Sequence, residues 1–149
     1  MIEISHNLNY PLYHLEDVLF PLFEKYYTND SLRVTIESAN HIWCAYENDK
    51  CVGCVLITDI GSYGGLYVLL FGVRKSEQRR GIGTYLLENI IKWSRKHGYM
   101  FIYLHTAYDN EDAIRLYEKV GFQKEFHQSE YTKQLPQCES DVLPMMLFI

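Results

Sequence analysis

QRRGIGTYL, residues 78–86, sets two arginines and two glycines at the mouth of a helix, in a chain whose formal net charge is -5. From Gly81 to His97 the apolar residues Ile82, Leu86, Ile90 and Trp93, with Leu87 and Ile91 beside them, recur at a 3.6-residue period. This predicts an amphipathic helix lying on a sheet and stopped by Gly98. Upstream, LYVLLFGV (Leu66–Val73) is too uniformly apolar for a half-exposed strand and reads as a central one, with Gly72 marking a bulge or a close backbone approach. The order is therefore apolar strand, short loop RKSE, glycine turn, helix. A helix start built from small residues leaves N–H groups unpaired at the positive end of the dipole, which is a site for an anion such as phosphate.

Three phosphate-binding devices share this outline. A Walker A loop needs Gly-Lys-Ser/Thr, and the turn continues Gly83-Thr84-Tyr85. A dinucleotide fingerprint needs a small residue where Leu86 stands, glycines directly after the strand, and an acidic residue where His105 and Thr106 stand. The third device fits. QRRGIG resembles the Gln/Arg-x-x-Gly-x-Gly/Ala signature of the GNAT superfamily of acyl-CoA-dependent N-acyltransferases. IYLHTAYDNEDAIRLYEKVGF, Ile102–Phe122, is similar to that family's strand-loop-helix, with Asn110, Ala113, Ile114, Leu116, Tyr117, Glu118, Lys119, Gly121 and Phe122 in register. The resemblance is strong from Phe71 to Phe122 and only architectural from Ile42 to Leu70. It implies an α+β fold, a mostly antiparallel central sheet with a V-shaped splay between two strands, flanked by helices.

The resemblance also assigns roles. The backbone amides of Arg79, Arg80, Gly81, Ile82, Gly83 and Thr84 would hold the pyrophosphate of coenzyme A; the Arg79 and Arg80 side chains either add charge attraction or lie solvated. Phe71, Gly72 and Val73 match the family's bulged segment beside the pantetheine arm, with an N–H near Val73 for the thioester oxygen. Asn110 would contact the cofactor and Tyr117 would act as general acid to the leaving thiolate; read without the family, they are an N-cap and a core aromatic. The central strand carries no carboxylate, so the general base is open between Asp59, Glu77, His105 and a water chain.

The expected activity is transfer of acetyl from acetyl-CoA to a primary amine of a small molecule or protein; the alternative is a non-catalytic acyl-CoA sensor. By the same resemblance the amino-terminal helices (Glu16, Asp17, Glu24, Tyr26, Tyr27) and the segment HQSEYTKQLPQCESDV (Glu130, Tyr131) would face the acceptor, and their carboxylates and rings suit a cationic amine.

The rest of the chain bounds this reading. With 149 residues it makes one domain, 1–149, and its acidic balance argues against nucleic acid. No run approaches a membrane span and no secretory pattern opens the chain, so a cytoplasmic protein is expected. Cys51-x-x-Cys54 lies in a strand, where residues three apart face opposite sides, and no metal is expected. Helices are predicted between Pro11 and Asn40, a hairpin turns at ENDK, a strand covers Met100–Thr106, and a helix follows an N-cap at Asp109 or Asn110. Final strands are expected at Phe122–His127 and Met145–Ile149, the last completing the sheet of its own chain or pairing across a homodimer.

Overall fold

The computed structural model describes residues 1–61, 64–124 and 142–149. The order is β1 (Glu3–His6), α1 (Leu12–Phe23), α2 (Asn29–Ser38), β2 (His41–Glu47), β3 (Lys50–Ile60), β4 (Gly65–Val73), α3 (Ile82–Lys96), β5 (Phe101–Ala107), α4 (Glu111–Val120), β6 (Gln123–Lys124) and β7 (Val142–Phe148). Among the described residues the strands form one seven-stranded sheet, β1-β2-β3-β4-β5-β7-β6. Every neighbouring pair is antiparallel except β4 and β5.

Local chemistry sets the element ends. Thr28 and Ser31 form a reciprocal capping box at the start of α2. Asn48 and Asp49 both adopt positive φ, the left-handed turn that these short polar residues tolerate, and close the β2–β3 hairpin. Asn110 rather than Asp109 caps α4, its side chain accepting from Ala113 N–H.

The sheet is covered on both faces. Leu15, Val18 and Leu19 of α1 and Leu32 and Ile36 of α2 are buried on one face with Cys44, Cys54, Leu56 and Leu70. On the other, Leu86, Leu87 and Ile90 of α3 and Ile114 and Tyr117 of α4 are buried with Leu66, Val68, Ile102 and Leu104.

Two bulges decide which side chains reach which face. Leu56 pairs with Leu70 and Ile57 with Val68, leaving Leu69 as the extra residue in β4. One extra residue reverses the alternation beyond it, so Val68, Phe71 and Val73 all join the α3/α4 side. The bulge expected at Phe71–Val73 therefore lies earlier. Gly72 sits in regular register opposite Cys54. Its lack of a side chain serves α1, because a Cβ there would come within 2.8 Å of Leu22 Cδ1 and 3.2 Å of Leu19 Cδ2.

The second bulge leaves Val52 extra, between the pairs Ala45–Gly53 and Tyr46–Cys51. It brings Cys51 and Cys54 to one face beside Cys44, where opposite faces were expected. These three thiols are free and buried, and burial pushes the Cys54 thiol well above its usual range. Among the described residues no cluster suited to a metal ion is found.

The edge strand β1 adds to β2 and was not expected. Of the strand expected at Phe122–His127, Gln123 and Lys124 form β6, Phe122 is a core residue, and 125–127 lie outside the described residues. The last strand begins earlier than expected, at Val142, and pairs with β5 and β6 of its own chain. No helix among the described residues is long and apolar enough to cross a membrane.

Candidate active site

The two parallel strands at the centre are joined only at Gly65–Phe101, Leu66–Ile102 and Tyr67–Tyr103. Beyond Tyr67 they part: β5 continues along β7 as far as Ala107, and β4 continues along β3 as far as Val73. The result is a V-shaped opening whose apex is the Tyr67–Tyr103 pair. Arg74 N–H donates to Val52 O at 2.7 Å, towards β3. By strand alternation, the N–H groups of Phe71 and Val73 point the other way, into the opening. The Val73 carbonyl accepts from Gln78 Nε2 at 3.0 Å.

The glycine turn sits at the wide end of this opening. Arg79 and Gly81 both take positive φ, 66° and 82°, which Gly81 adopts freely as the first flank of α3. Among the described residues no side chain caps α3 and its first turn holds no acidic residue; the N–H groups of Ile82, Gly83 and Thr84, in the first turn, meet no intrahelical acceptor. A Cβ on Gly81 would meet nothing among the described residues within 4 Å, leaving room for an anion's oxygens. Gly83 has a different job. Its missing side chain lets α3 close on Leu116 Cδ2 and Phe71 Cζ, which a Cβ would approach to 3.0 and 3.1 Å.

The arginines divide. Arg80 bonds Glu47 through both terminal nitrogens at 2.8 and 2.7 Å, and also pairs with Glu77. Those carboxylates raise its pKa, and its hydrogen bonds hold the Glu47 carboxyl below its ordinary value. Arg80 is therefore a clamp between the turn and the end of β2, with its charge already met. Arg79 is exposed.

Tyr117 stands on the α3/α4 face of the sheet, buried, with ring centroids 6.0 Å from Phe71 and 5.6 Å from Phe122. Burial raises its pKa, so the phenol is protonated at neutral pH. Asn110, two turns earlier, is exposed and engaged as the N-cap, at 3.4 Å from Ala113 N.

Of the three base candidates only one lies at the opening. Asp59 pairs with Leu66, at the joined end of β4 and β5, and its Oδ2 accepts from Tyr99 Oη at 2.9 Å. Glu77 is held by Arg80. His105 is on β5, two residues past the apex, half-buried, and burial pushes its pKa down to about 4. It is hydrogen-bonded to Tyr67 Oη at 2.7 Å through Nδ1 and to Tyr103 Oη at 3.1 Å through Nε2. Alternation along β4 and β5 puts Tyr67 and His105 on the face opposite Tyr117. The opening thus has a neutral imidazole that can accept a proton on one face and a phenol that can give one on the other. Tyr67 was not foreseen, because only the strand register brings it to His105.

Beside the α1 face, next to the residue that follows β4, a groove of about 330 Å³ is lined by Glu16, Asp17, Phe20, Pro21, Asn29 and Arg74. Glu24 and Tyr26 follow α1 and are exposed, whereas Tyr27 packs on Phe23. Glu130 and Tyr131 lie outside the described residues.

Residues 8–122 match the acetyltransferase (GNAT) family. The chain is 31% identical over 147 residues to the probable N-acetyltransferase san of Drosophila melanogaster, covering 95% of this chain and 77% of that protein. It is 30% identical over 145 residues to N-alpha-acetyltransferase 50 of Danio rerio, covering 95% and 84%. Its fold superposes with a TM-score of 0.76 on a GNAT family acetyltransferase from Elizabethkingia anophelis solved with acetyl-CoA bound, at 18% identity and covering 99% and 98% of the two chains. The family match takes in the glycine turn, the parted strands and the helix from Asn110 to Tyr117, and the chain belongs to the acetyltransferase (GNAT) family, as an N-acetyltransferase.

Proposed function

We propose that this enzyme takes acetyl-CoA as donor and the free α-amino group at the start of a polypeptide as acceptor. The observation that carries the reading is the V between β4 and β5, with uncapped α3 at its wide end, Tyr117 on one face and Tyr67–His105 on the other. The donor, when bound, supplies an activated acetyl thioester.

The chain's own residues do the rest. The N–H groups of Ile82, Gly83 and Thr84, at the positive end of α3, bind the diphosphate. The Val73 N–H hydrogen-bonds the thioester oxygen and stabilises the negative charge that grows there as the amine attacks. The proton lost by the amine passes to Tyr67 Oη as Tyr67 gives its own to His105 Nδ1. Tyr117 returns a proton to the departing sulfur. The dry surroundings that keep the proton on Tyr117 also penalise a bare thiolate, so transfer is favoured as the C–S bond breaks.

Two observations support a polypeptide acceptor. The similarity to a protein named N-alpha-acetyltransferase 50 runs through 95% of the chain. The groove beside α1 combines Phe20 and Pro21 with Glu16, Asp17, Asn29 and Arg74, giving apolar, acidic and basic partners for the first residues of a chain. The test compares CoA release with one peptide in three forms: free α-amine, N-acetylated with an internal lysine, and N-acetylated without lysine. The free α-amine form alone should turn over. Equal turnover of the blocked, lysine-containing form would overturn the α-amine assignment.

A further inference from the structure

Both ring nitrogens of His105 meet a tyrosine hydroxyl, and the two contacts differ in length: 2.7 Å from Nδ1 to Tyr67 Oη and 3.1 Å from Nε2 to Tyr103 Oη. A neutral imidazole carries one N–H and one lone pair. The 3.1 Å contact has the usual length of an N–H donating to oxygen and the 2.7 Å contact suits a donating hydroxyl, so the two lengths favour Tyr67 O–H donating to Nδ1 and Nε2–H donating to Tyr103 Oη.

We propose that Tyr103 is a positioning residue for acetyl transfer: its hydroxyl oxygen holds the His105 proton on Nε2, so that the Nδ1 lone pair stays turned to Tyr67. The inference rests on the reading of Tyr67–His105 as the proton acceptor. Tyr103 suits this role because it cannot drift. It is 4% exposed, forms the last β4–β5 pair with Tyr67, and lies two residues before His105 on the same face of β5. Its ring stands nearly perpendicular to the imidazole, with centroids 4.9 Å apart.

The arrangement persists through the reaction. When Nδ1 takes the proton from Tyr67, both ring nitrogens carry hydrogen, and Nε2–H still has Tyr103 Oη as acceptor. Without that oxygen, the imidazolium would form in a half-buried site with one N–H unmatched. It would also form from a tautomer mixture in which part of the population offers Tyr67 a donor where it needs a lone pair. A wrong tautomer in a Ser-His-Asp triad costs about 10⁴ in turnover; here an even mixture about halves the competent population, and the unmatched imidazolium N–H lowers turnover further, on the order of tenfold.

The experiment is nitrogen NMR on the protein with ¹⁵N-labelled histidine, with steady-state kinetics on variants. In the unaltered enzyme His105 should show Nε2–H; a predominant Nδ1–H form overturns the proposal without need of any variant. Tyr103→Phe keeps the ring and removes the oxygen. It should give a mixed His105 tautomer and a kcat lower by roughly tenfold, with KM for acetyl-CoA unchanged. Unaltered kcat, or lowered kcat with Nε2–H still pure, overturns it. His105→Gln separates the two levels. If it keeps full kcat, the base assignment falls and the positioning role with it; if it loses kcat while Tyr103→Phe does not, only the positioning role falls.

Discussion

Replacing Gly72 by alanine tests the register on which the site depends. The Leu69 bulge turns Gly72 towards α1, so a new Cβ would sit 2.8 Å from Leu22 Cδ1 and 3.2 Å from Leu19 Cδ2. The first distance is shorter than such contacts tolerate, and α1 or the Leu22 side chain must move. Overpacking of this kind costs about 1–3 kcal/mol, offset by roughly 0.5–1 kcal/mol that alanine gains over glycine in chain entropy. The net loss is between about 0 and 2.5 kcal/mol, smallest if the half-buried Leu22 side chain rotates away, and against an unfolding entropy of about 0.3 kcal/mol/K for a chain of this length it lowers Tm by up to roughly 8 °C. Thermal and urea denaturation read the loss. A double-mutant cycle with Leu22→Ala locates it: the Gly72→Ala cost should shrink in that background, because the obstructing methyl is gone. KM for acetyl-CoA should not change, since the Cβ points away from the face that carries Phe71 and Val73. A Gly72→Ala effect equal in both backgrounds, or a raised acetyl-CoA KM with normal stability, would refute the register and return Gly72 to the cofactor side.

Arg80→Ala should raise the acetyl-CoA KM severalfold with little change in kcat, because it frees the turn and leaves Glu47 and Glu77 unmatched beside an anion site; an unchanged KM in steady-state kinetics contradicts the clamp. Stability should fall as pH drops from 6.5 towards 4. His105 has its pKa pushed down to about 4, and His6 and His41 are lowered by burial, so the unfolded chain binds more protons across that interval. The stabilisation is complete above the ordinary histidine value near 6.5 and lost on descent; urea midpoints at several pH values should show this, and His105→Gln should flatten part of the slope. A midpoint that rises on acidification contradicts the sign.

What could be read from the sequence is what is local. The α3 stripe, the Gly81 entry, the Asn48–Asp49 turn and the Asn110 cap each depend on residues within a few positions of one another. Helix spacing alone puts Asn110 and Tyr117 on one face of α4 and gives neither a role; the glycine turn and Tyr117 came into view together through the resemblance to the GNAT family. The bulges at Leu69 and Val52 did not, because a bulge belongs to the pairing of two strands and leaves no mark in either one. Missing the Val52 bulge is why Cys51 and Cys54 were expected on opposite faces. β1 is only four residues long and gains its place from β2. The base could not be singled out for the same reason. Asp59, Glu77 and His105 look equivalent along the chain, and only the contacts of Asp59 with Tyr99, Glu77 with Arg80 and His105 with Tyr67 separate them.

The most direct test of acetyl transfer in the β4–β5 opening is the rate of CoA thiol release with acetyl-CoA and a free-amine peptide, for the enzyme and its Tyr117→Phe variant. The enzyme should turn over, and the variant should bind acetyl-CoA normally while losing roughly 10²-fold or more in kcat, the size of a general-acid contribution. Tight acetyl-CoA binding with no thiol release to any amine, or a Tyr117→Phe variant with full kcat, would contradict the account.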